Sequence, residues 1–359
     1  MNPSAHTGPG SGANEFQAGP GARAASGTGG EPGARAPSAA PRVSVVVPSF
    51  NHAAFVERTL RSVFAQTHAP AELLVIDDGS RDDSVRVIGR ALASCPFPAE
   101  LIARGNRGLA ATLNEGLARA ARGEYFAYLG SDDLWLPDFL RARVGLLERR
   151  PASALAYGHC YWIDGEDRVV ERTEEWADYP DGDARAMLWR GTAPHSPTVV
   201  YRRERLARHG WNESARLEDY ELYLLLAADS EFAFDPRALS AWRVHGENAS
   251  RDLSFMMREW LEAQRRVAAR LGMDDEELAR AQSAVGWSCA ENFARRGEKA
   301  RAFELMRRNW RGAPSTAASA KMLLRLAAPR ALVERRGRRR TSKGVSLSAA
   351  ASADAARAE

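Results

Sequence analysis

The feature that most constrains the fold is an alternation of short apolar runs with segments of helical periodicity. The apolar runs are Val43 to Val47, Leu73 to Ile76, Leu101 to Ala103 and Tyr125 to Leu129. Between them, residues 55–66, 82–93 and 109–121 carry apolar side chains three and four positions apart, the spacing of an amphipathic helix. Strand and helix in repetition predict a parallel α/β sheet covered on both faces, with right-handed crossovers. This architecture is of a nucleotide-binding type, but it does not define a function.

Composition divides the 359 residues into four parts. Residues 1–41 are mostly Gly, Ala, Pro and Ser and are predicted to be disordered. Residues 42–250 contain the alternation and then a less regular part, with a strand predicted at 198–201 and a helix at 220–228. Residues 251–333 show helical periodicity only, at 256–271, 275–295, 299–310 and 317–333. Residues 334–359 are predicted to be a basic, disordered tail.

Charge and cysteine content bear on location and partners. The net charge of +4 comes from the tail, because residues 334–343 contain six basic residues and one acid. We expect either peripheral contact with an anionic membrane or a solvated tail, and no nucleic-acid partner, since no nucleic-acid-binding motif accompanies the charge. Three scattered cysteines and the lack of an 18-residue apolar run favour a cytoplasmic protein, with contact at the inner membrane face as the peripheral option.

Two pairs of carboxylates directly follow predicted strands. Asp77 and Asp78 follow the second strand, and Asp132 and Asp133 come shortly after the fourth. Because the carboxyl ends of parallel strands share one edge of a sheet, we expect both pairs to converge there. Carboxylate oxygens are ligands for hard divalent cations, so the second pair predicts a metal-diphosphate site. The alternative interpretation is a turn or a helix start, where Asp is also common.

Five short motifs occur in order within residues 43–250. They are Pro48-Ser49-Phe50-Asn51, Asp77-Asp78-Gly79-Ser80, Asn106-Arg107-Gly108 with Asn114 and Gly116, Gly123-Glu124-Tyr125, and Ser131-Asp132-Asp133. Through these motifs the chain resembles glycosyltransferase family 2, whose GT-A fold is a Rossmann-like mixed sheet flanked by helices, here with a C-terminal helical extension. The resemblance implies inverting transfer of a sugar from a nucleotide diphosphate, UDP foremost, assisted by Mn²⁺ or Mg²⁺. It also implies a glycan or lipid-linked acceptor, as in cell-surface polysaccharide synthesis.

The resemblance also implies roles for individual residues. Contacts to the nucleotide sugar are expected from Pro48, Asn51, Asp77, Asp78, Asn106, Gly108, Asn114 and Asp132. Metal ligands are expected from Asp132, Asp133 and His245, with the choice between the two acids left open. Asp219 is expected to be the base that takes the acceptor proton, and Glu218 to orient either Asp219 or the acceptor. The alternative for this second acidic pair is favourable interaction with a helix dipole.

Two positions depart from the family pattern and leave an alternative function open. Gly130 stands where an acid is common, and Leu113 stands where Arg is common. A noncatalytic GT-A module that binds nucleotide sugars is therefore the alternative, and the acidic pair at the predicted base argues against it. A dinucleotide oxidoreductase or a nucleotidyltransferase would need a Gly-rich phosphate loop after the first strand, which this sequence lacks. Four tryptophans are predicted either to stack on an acceptor sugar or to pack in the core, namely Trp135, Trp189, Trp211 and Trp242.

Overall fold

A computed structural model of the chain describes residues 41–120, 122–245, 252–328 and 344–358. The predicted disorder of residues 1–40 and the basic run 334–343 lie outside the described residues. The described strands are β1 Val43–Ser49, β2 Glu72–Asp77, β3 Ala99–Ala103, β4 Tyr125–Tyr128, β5 Leu134–Trp135, β6 Ser153–Gly158, β7 Tyr161–Ile163, β8 Val169–Arg172, β9 Val200–Arg202, β10 Glu231–Asp235 and β11 Ser240–Arg243. The described α-helices are α1 Val56–Phe64, α2 Ser84–Leu92, α3 Leu109–Arg119, α4 Phe139–Arg149, α5 Arg185–Leu188, α6 Arg203–Leu206, α7 Glu218–Asp229, α8 Leu253–Leu271, α9 Asp275–Arg295, α10 Lys299–Arg308, α11 Thr316–Ala327 and α12 Leu347–Ala358.

The main sheet has the strand order β10-β6-β9-β4-β1-β2-β3 in the described part of the chain. Strands β1 to β4 are parallel, as the alternation of strand and helix predicts. Strand β9 is antiparallel to both β4 and β6, so the sheet is mixed. The predicted Rossmann-like mixed sheet flanked by helices is therefore confirmed, and the carboxyl ends of β1, β2 and β4 share one edge.

Strand β1 lies inside this sheet, between β4 and β2, and all seven of its residues are buried. Val45 and Val47 face a core with Leu60 and Ile88, whereas Val46 faces the opposite core with Leu113. Each fully buried Val side chain stabilises the fold by about 1.5–3 kcal/mol relative to an exposed one. Burial on both faces explains why the strand is a continuous β-branched run instead of an alternating one.

A second, smaller sheet has the order β5-β11-β7-β8. Because side chains alternate along a strand, this sheet has two different faces. Tyr161, Ile163 and Ala241 lie on one face in a small hydrophobic cluster. Trp162 and Trp242, which pair in register across β7 and β11, lie on the other face. The sheet joins residues far apart in sequence, since β5 immediately follows the acid pair and β11 is more than 100 residues later.

The region after residue 252 is helical, in agreement with the predicted C-terminal extension. Helices α8 to α11 enclose their own core, with Val285, Trp287 and Phe293 at its centre. Gln264 of α8 donates to Trp189 O at 2.9 Å and to the Tyr220 hydroxyl at 2.9 Å, which fixes this region to α7. Among the described helices, none combines the length and the apolar character needed to cross a bilayer.

The predicted disorder of the C-terminal end is wrong for α12. Leu347 is buried against the small sheet, and the Val169 N–H donates to Val345 O at 2.9 Å. Asp354 accepts from Tyr161 and from Arg172, the latter at 2.7 Å. The Ala-rich sequence has strong helix propensity but too few apolar residues to show a helical stripe, so its docking site is visible only in the folded chain.

Replacing Leu347 with alanine tests the docking of α12. We expect Leu347→Ala to lower the free energy of unfolding by about 2–3 kcal/mol, because a buried side chain is removed. Val345→Ala is the matched control, since Val345 is 44% exposed on the same segment. Urea denaturation followed by circular dichroism measures both variants. Equal stabilities of the two variants would show that α12 does not pack as described.

Candidate active site

Three side chains converge at the edge where β1 and β4 end. His52 follows β1, Asp132 follows β4, and His245 follows β11. One ligand atom from each lies within 4.8 Å of the other two. His245 Nε2 is 2.9 Å from Asp132 Oδ2, and His52 Nδ1 is 3.7 Å from Asp132 Oδ1. Two imidazoles and a carboxylate at this spacing match the ligand set of a first-row divalent metal, so the predicted metal residues Asp132 and His245 are brought together.

Asp133 occupies a different position from its neighbour. Its side chain is buried, and Oδ1 accepts the Arg243 N–H at 2.8 Å. The backbone O of Asp133 accepts from the Thr59 hydroxyl at 2.8 Å. Asp133 therefore anchors β11 and α1 to residues 130–133, which we call the acid turn. It lies outside the group of three residues that can share an ion. Its predicted role as a metal ligand stays a prediction.

The two adjacent acids also differ in charge. Burial opposes ionisation of Asp132, but the hydrogen bond with His245 and the nearby His52 lower its pKa below the usual value. Burial and the charge of Asp132 raise the pKa of Asp133 well above the usual value. Burial lowers the pKa of His52, which favours the neutral imidazole that a metal requires. Negative charge at the acid turn is thus concentrated on Asp132.

Gly130 adjoins both carboxylates. A Cβ atom at this position would lie 2.9 Å from Asp132 Oδ1 and 3.2 Å from Asp133 Oδ2. A side chain here would therefore crowd both acids. His52, in the loop after β1, lies where it can provide a third ligand beside Asp132 and His245. The candidate metal site therefore has three ligand side chains without an acid at position 130.

Asp77 and Asp78 are both buried, and their visible contacts organise turns. Asp77 Oδ1 accepts the Ser80 N–H at 2.9 Å, so this carboxylate closes the turn after β2. Asp78 accepts from the N–H groups of Arg107 and Gly108, both at 2.8 Å, and pairs with Arg104. The turn interpretation is therefore confirmed for this pair, and direct contact with a nucleotide stays a prediction.

The loops beside these turns contain the other predicted donor residues. Pro48 is buried within β1, and Asn51 follows it at a φ of 55°, a left-handed conformation that Asn tolerates. Asn51 Oδ1 accepts the Arg81 N–H at 2.8 Å. Asn106 Nδ2 donates to Asp78 O at 2.9 Å, and Gly108 precedes α3 at a φ of 90°. Pro48 thus lies near the end of β1, Asn51 follows β1, and Asn106 and Gly108 follow β3.

Asn114 makes a contact that the sequence does not predict. Its Oδ1 accepts the Trp211 N–H at 2.9 Å, and its Nδ2 donates to Trp211 O at 2.8 Å and Glu213 Oε1 at 3.0 Å. The amide is fully engaged in fixing this loop. Trp211 Nε1 in turn donates to Asp219 Oδ1 at 3.2 Å. Asn114 therefore positions the loop that bonds Asp219, and its direct contact with the donor stays a prediction.

Asp219 and Glu218 open α7 and lie near the end of β4. Asp219 Oδ2 accepts from the hydroxyl of Tyr128, the last residue of β4. Burial raises the pKa of both carboxyls, and mutual repulsion raises that of Glu218 further. Among the described residues, no side chain donates to the Glu218 carboxylate, so only Asp219 is held in a fixed orientation. Both side chains are partly exposed, as a base that meets a substrate must be.

Sequence reasoning missed three contributors to this site. His52 follows the first-strand motif directly, and an imidazole at a strand end is a signal that could have found it. Tyr128 is indistinguishable from a core aromatic in sequence. Arg243 is fully buried, and its Nε donates to Asp132 O at 2.6 Å and its Nη1 to Asp164 O at 2.6 Å.

Of the candidate tryptophans, Trp135 is a core residue, stacked on Phe139 with its indole N–H donating to Pro197 O.

A mixed Rossmann-like sheet with an acid turn after β4 and a partly exposed acid pair opening α7 is typical of the GT-A fold. Residues 44–210 match the family model described as Glycosyl transferase family 2. This part of the chain is therefore similar to glycosyltransferase family 2.

Relatives and solved structures agree with this assignment. An uncharacterized glycosyltransferase of Nostoc sp. is 32% identical over 171 residues, 46% of this chain and 52% of that protein. Chondroitin synthase of Escherichia coli is 28% identical over 211 residues, 58% of this chain and 30% of that protein. This chain thus spans about half or less of the length of these curated relatives.

Two solved structures share the fold at low sequence identity. The mannosyltransferase PcManGT of Pyrobaculum calidifontis, in complex with GDP-Man and Mn²⁺, has a TM-score of 0.55 and 20% identity, covering 81% of each chain. S. aureus TarS 1-349 in complex with UDP-GlcNAc has a TM-score of 0.55 and 15% identity, covering 76% of this chain and 82% of that one. These similarities confirm the GT-A fold.

Removing the imidazole of His52 tests the three-residue metal group. We expect His52→Ala to weaken Mn²⁺-dependent UDP binding by roughly tenfold or more, a scale typical of groups that support a metal. His68→Ala is the matched control, because His68 lies in the same domain and bonds to Pro41 O. Isothermal titration calorimetry with UDP and Mn²⁺ gives both affinities. Unchanged affinity in His52→Ala would remove His52 from the site.

Proposed function

We propose that this chain is an inverting glycosyltransferase that moves a sugar from a nucleotide diphosphate, UDP foremost, to a hydroxyl of a glycan or lipid-linked acceptor. The observation that carries the proposal is the meeting of His52, Asp132 and His245 at the end of β1 and β4, with Asp219 bonded to Tyr128 on the same strand end. A cation site for the diphosphate and an oriented carboxylate for the acceptor are the two parts that such a transfer needs. Synthesis of a cell-surface polysaccharide is the process we infer.

The metal would be held by His52, Asp132 and His245. Two imidazoles with one carboxylate suit Mn²⁺ better than Mg²⁺, which prefers oxygen ligands. When bound, the ion would stabilise negative charge on the departing diphosphate. The solved PcManGT complex contains Mn²⁺, which supports the same choice here.

Asp219 is the base in this proposal. Trp211 and Tyr128 each donate to one oxygen of the carboxylate, so its orientation is fixed before the acceptor arrives. Each oxygen retains a second lone pair that can take the proton of the attacking hydroxyl. Glu218 lies beside it with a raised pKa and keeps a proton more readily, which leaves Asp219 as the charged member of the pair.

The alternative is a noncatalytic module that binds nucleotide sugars. The fixed orientation of Asp219 disfavours it, because a binding module has no need for an oriented base.

Contact of the basic run 334–343 with an anionic membrane remains part of the proposal for location and is tested separately, by flotation with anionic vesicles.

Screening nucleotide sugars for Mn²⁺-dependent release of the nucleotide tests the proposal itself. We expect at least one UDP-sugar to be hydrolysed slowly without acceptor and faster with a glycan acceptor, because water can replace the acceptor hydroxyl as the nucleophile. Asp132→Asn should abolish this release. Donor binding by the wild type with no hydrolysis and no transfer across the panel would favour the noncatalytic module.

Substitution of Asp219 separates binding from chemistry. We expect Asp219→Asn to lower kcat for transfer by about 10²–10⁴-fold, the usual contribution of a general base, with unchanged affinity for UDP. Asp229→Asn is the matched control, because Asp229 is an exposed acid at the other end of the same helix. If Asp219→Asn transfers at the wild-type rate while Glu218→Gln does not, the base is Glu218.

The pH profile tests the environment of the base. Burial raises the pKa of Asp219 to about 6, while the hydrogen bonds from Tyr128 and Trp211 lower it. Because the base must be ionised, we expect kcat to fall as pH decreases through this value. Tyr128→Phe removes a hydrogen-bond donor that favours the charged carboxylate, so the pKa of Asp219 should rise. The acidic limb of the kcat profile of this variant should therefore lie at higher pH. A limb that stays in place or moves to lower pH would contradict the assignment.

A further inference from the structure

A surface pocket of about 310 Å³ lies between the end of α5 and helix α9. Three arginines line it, each from a different element: Arg190 follows α5, Arg280 is in α9, and Arg311 is in a short 3₁₀ helix after α10. The rest of the described lining is Trp189 with small or apolar residues, and none of it is acidic. Because arginine is always protonated in proteins, this arginine pocket carries three positive charges.

The three guanidinium groups of the arginine pocket have no hydrogen-bond or ion-pair partner in the described part of the chain. Arg280 forms no ion pair with Glu276 or Glu277, the acids one turn earlier on α9, and its side chain lines the pocket instead. Arg308 of α10, by contrast, pairs with Glu304 one turn away. The charge of the pocket is thus not offset by these neighbouring acids.

A second surface pocket, of about 280 Å³, shows the more usual arrangement. Three arginines also line it, but two of them are paired with acids. Arg141 lies 2.9 Å from Asp138, and Arg237 lies 2.7 Å from Asp235. Pockets of similar size on this chain therefore differ in whether the chain itself supplies the anion.

The backbone around the arginine pocket is held in place. Gln264 of α8 donates to Trp189 O at 2.9 Å, which fixes the wall at the end of α5. A Cβ atom at Gly312 would clash with Ser283 O, so the turn that carries Arg311 lies directly against α9. Because these segments are fixed before a ligand arrives, binding has to order only the arginine side chains.

Charge and size indicate the chemistry of the ligand. A guanidinium group donates two parallel hydrogen bonds to an oxyanion, and phosphate is one of its preferred partners. Three guanidinium groups repel one another in the same pocket, and an anion with two or three charges offsets that repulsion. Phosphate and diphosphate carry such charge in a small volume, whereas a single carboxylate carries one. Trp189 adds apolar surface for the part of the molecule that bears the phosphate.

We propose that the arginine pocket binds a phosphate-bearing ligand through Arg190, Arg280 and Arg311. None of its described lining residues belongs to the candidate active site, and the guanidinium groups supply the positive charge without a metal. A soluble phosphoester and a lipid headgroup present the same oxyanion to the pocket, so both are tested as sources.

Calorimetry on the full chain in EDTA tests the arginine pocket, because the chelator removes the metal that the donor site would need. The probes are inorganic diphosphate, inorganic phosphate and acetate at constant ionic strength. We expect diphosphate to bind most tightly and acetate not to bind measurably. Arg280→Gln should weaken diphosphate binding by roughly tenfold or more, because a charged donor is lost, and Arg280→Lys should retain part of the affinity. Arg149→Gln is the matched control, because Arg149 is exposed in the other pocket and has no acid partner among the described residues.

Two further probes separate the sources of the phosphate. Binding of glycerol 3-phosphate that depends on Arg280 identifies a soluble phosphoester. Flotation with vesicles that contain phosphatidic acid, compared with phosphatidylserine vesicles of equal surface charge, identifies a lipid headgroup if only the former depends on Arg280. The basic run 334–343 would respond to surface charge and therefore to both kinds of vesicle.

The outcomes that overturn the arginine pocket are distinct from those for the proposed function. Absence of diphosphate binding in EDTA, an equal affinity for acetate, or equal diphosphate affinities in Arg280→Gln and Arg149→Gln would overturn the pocket. Urea midpoints of the variants should match that of the wild type, because the replaced side chains form no hydrogen bond or ion pair among the described residues. Failure to bind UDP with Mn²⁺, beside normal diphosphate binding in EDTA, would overturn the proposed transferase alone.

Discussion

The buried guanidinium of Arg243 is the interaction on which the site depends. It donates to the backbone oxygens of Asp132 and Asp164, pairs with Asp167, and lies 4.8 Å from the centre of the Phe55 ring. Removing such a charge from water costs several kcal/mol unless its partners are in place. The acid turn and the turn between β7 and β8 must therefore fold together around Arg243. The small sheet and the metal group form one cooperative unit.

This arrangement explains how two adjacent acids acquire different properties. The N–H of Arg243 engages Asp133 in the interior, whereas the side chain of Asp132 turns toward the two imidazoles. Desolvation and repulsion then favour the neutral form of Asp133 and leave the charge on Asp132. The two acids of the pair therefore differ, because Asp133 is an interior anchor and Asp132 faces two imidazoles. His52 brings the third group from the opposite side.

Much of the fold was predictable because its signals are local. The β-branched run at β1 and the amphipathic spacing of α1 to α3 depend only on neighbouring residues, and the acids at strand ends follow from parallel topology. The small sheet was not predictable, since Leu134 and Trp135 pair with Ser240 and Ala241. Helix α12 was missed because an Ala-rich segment gains its stability from docking, which leaves little trace in the periodicity.

Within the candidate site, the residues proposed to act directly are easier to find in the sequence than those that position them. Asp132, His245 and Asp219 belong to recognisable motifs. His52 depends on the left-handed turn at Asn51, which directs the chain toward the acid turn. Asn114 belongs to a motif, but the sequence gives no sign that it also fixes the Trp211 loop. These roles depend on contacts across about 100 residues of sequence, which no local pattern contains.

The most direct test of the central claim is anomalous diffraction from a crystal of the protein grown with UDP and Mn²⁺. A manganese peak about 2.0–2.3 Å from Asp132 and from the imidazole nitrogens of His52 and His245, in contact with the diphosphate, is the predicted result. A peak bound by Asp133 without the two histidines, or UDP bound with no manganese peak at this edge of the sheet, would contradict it.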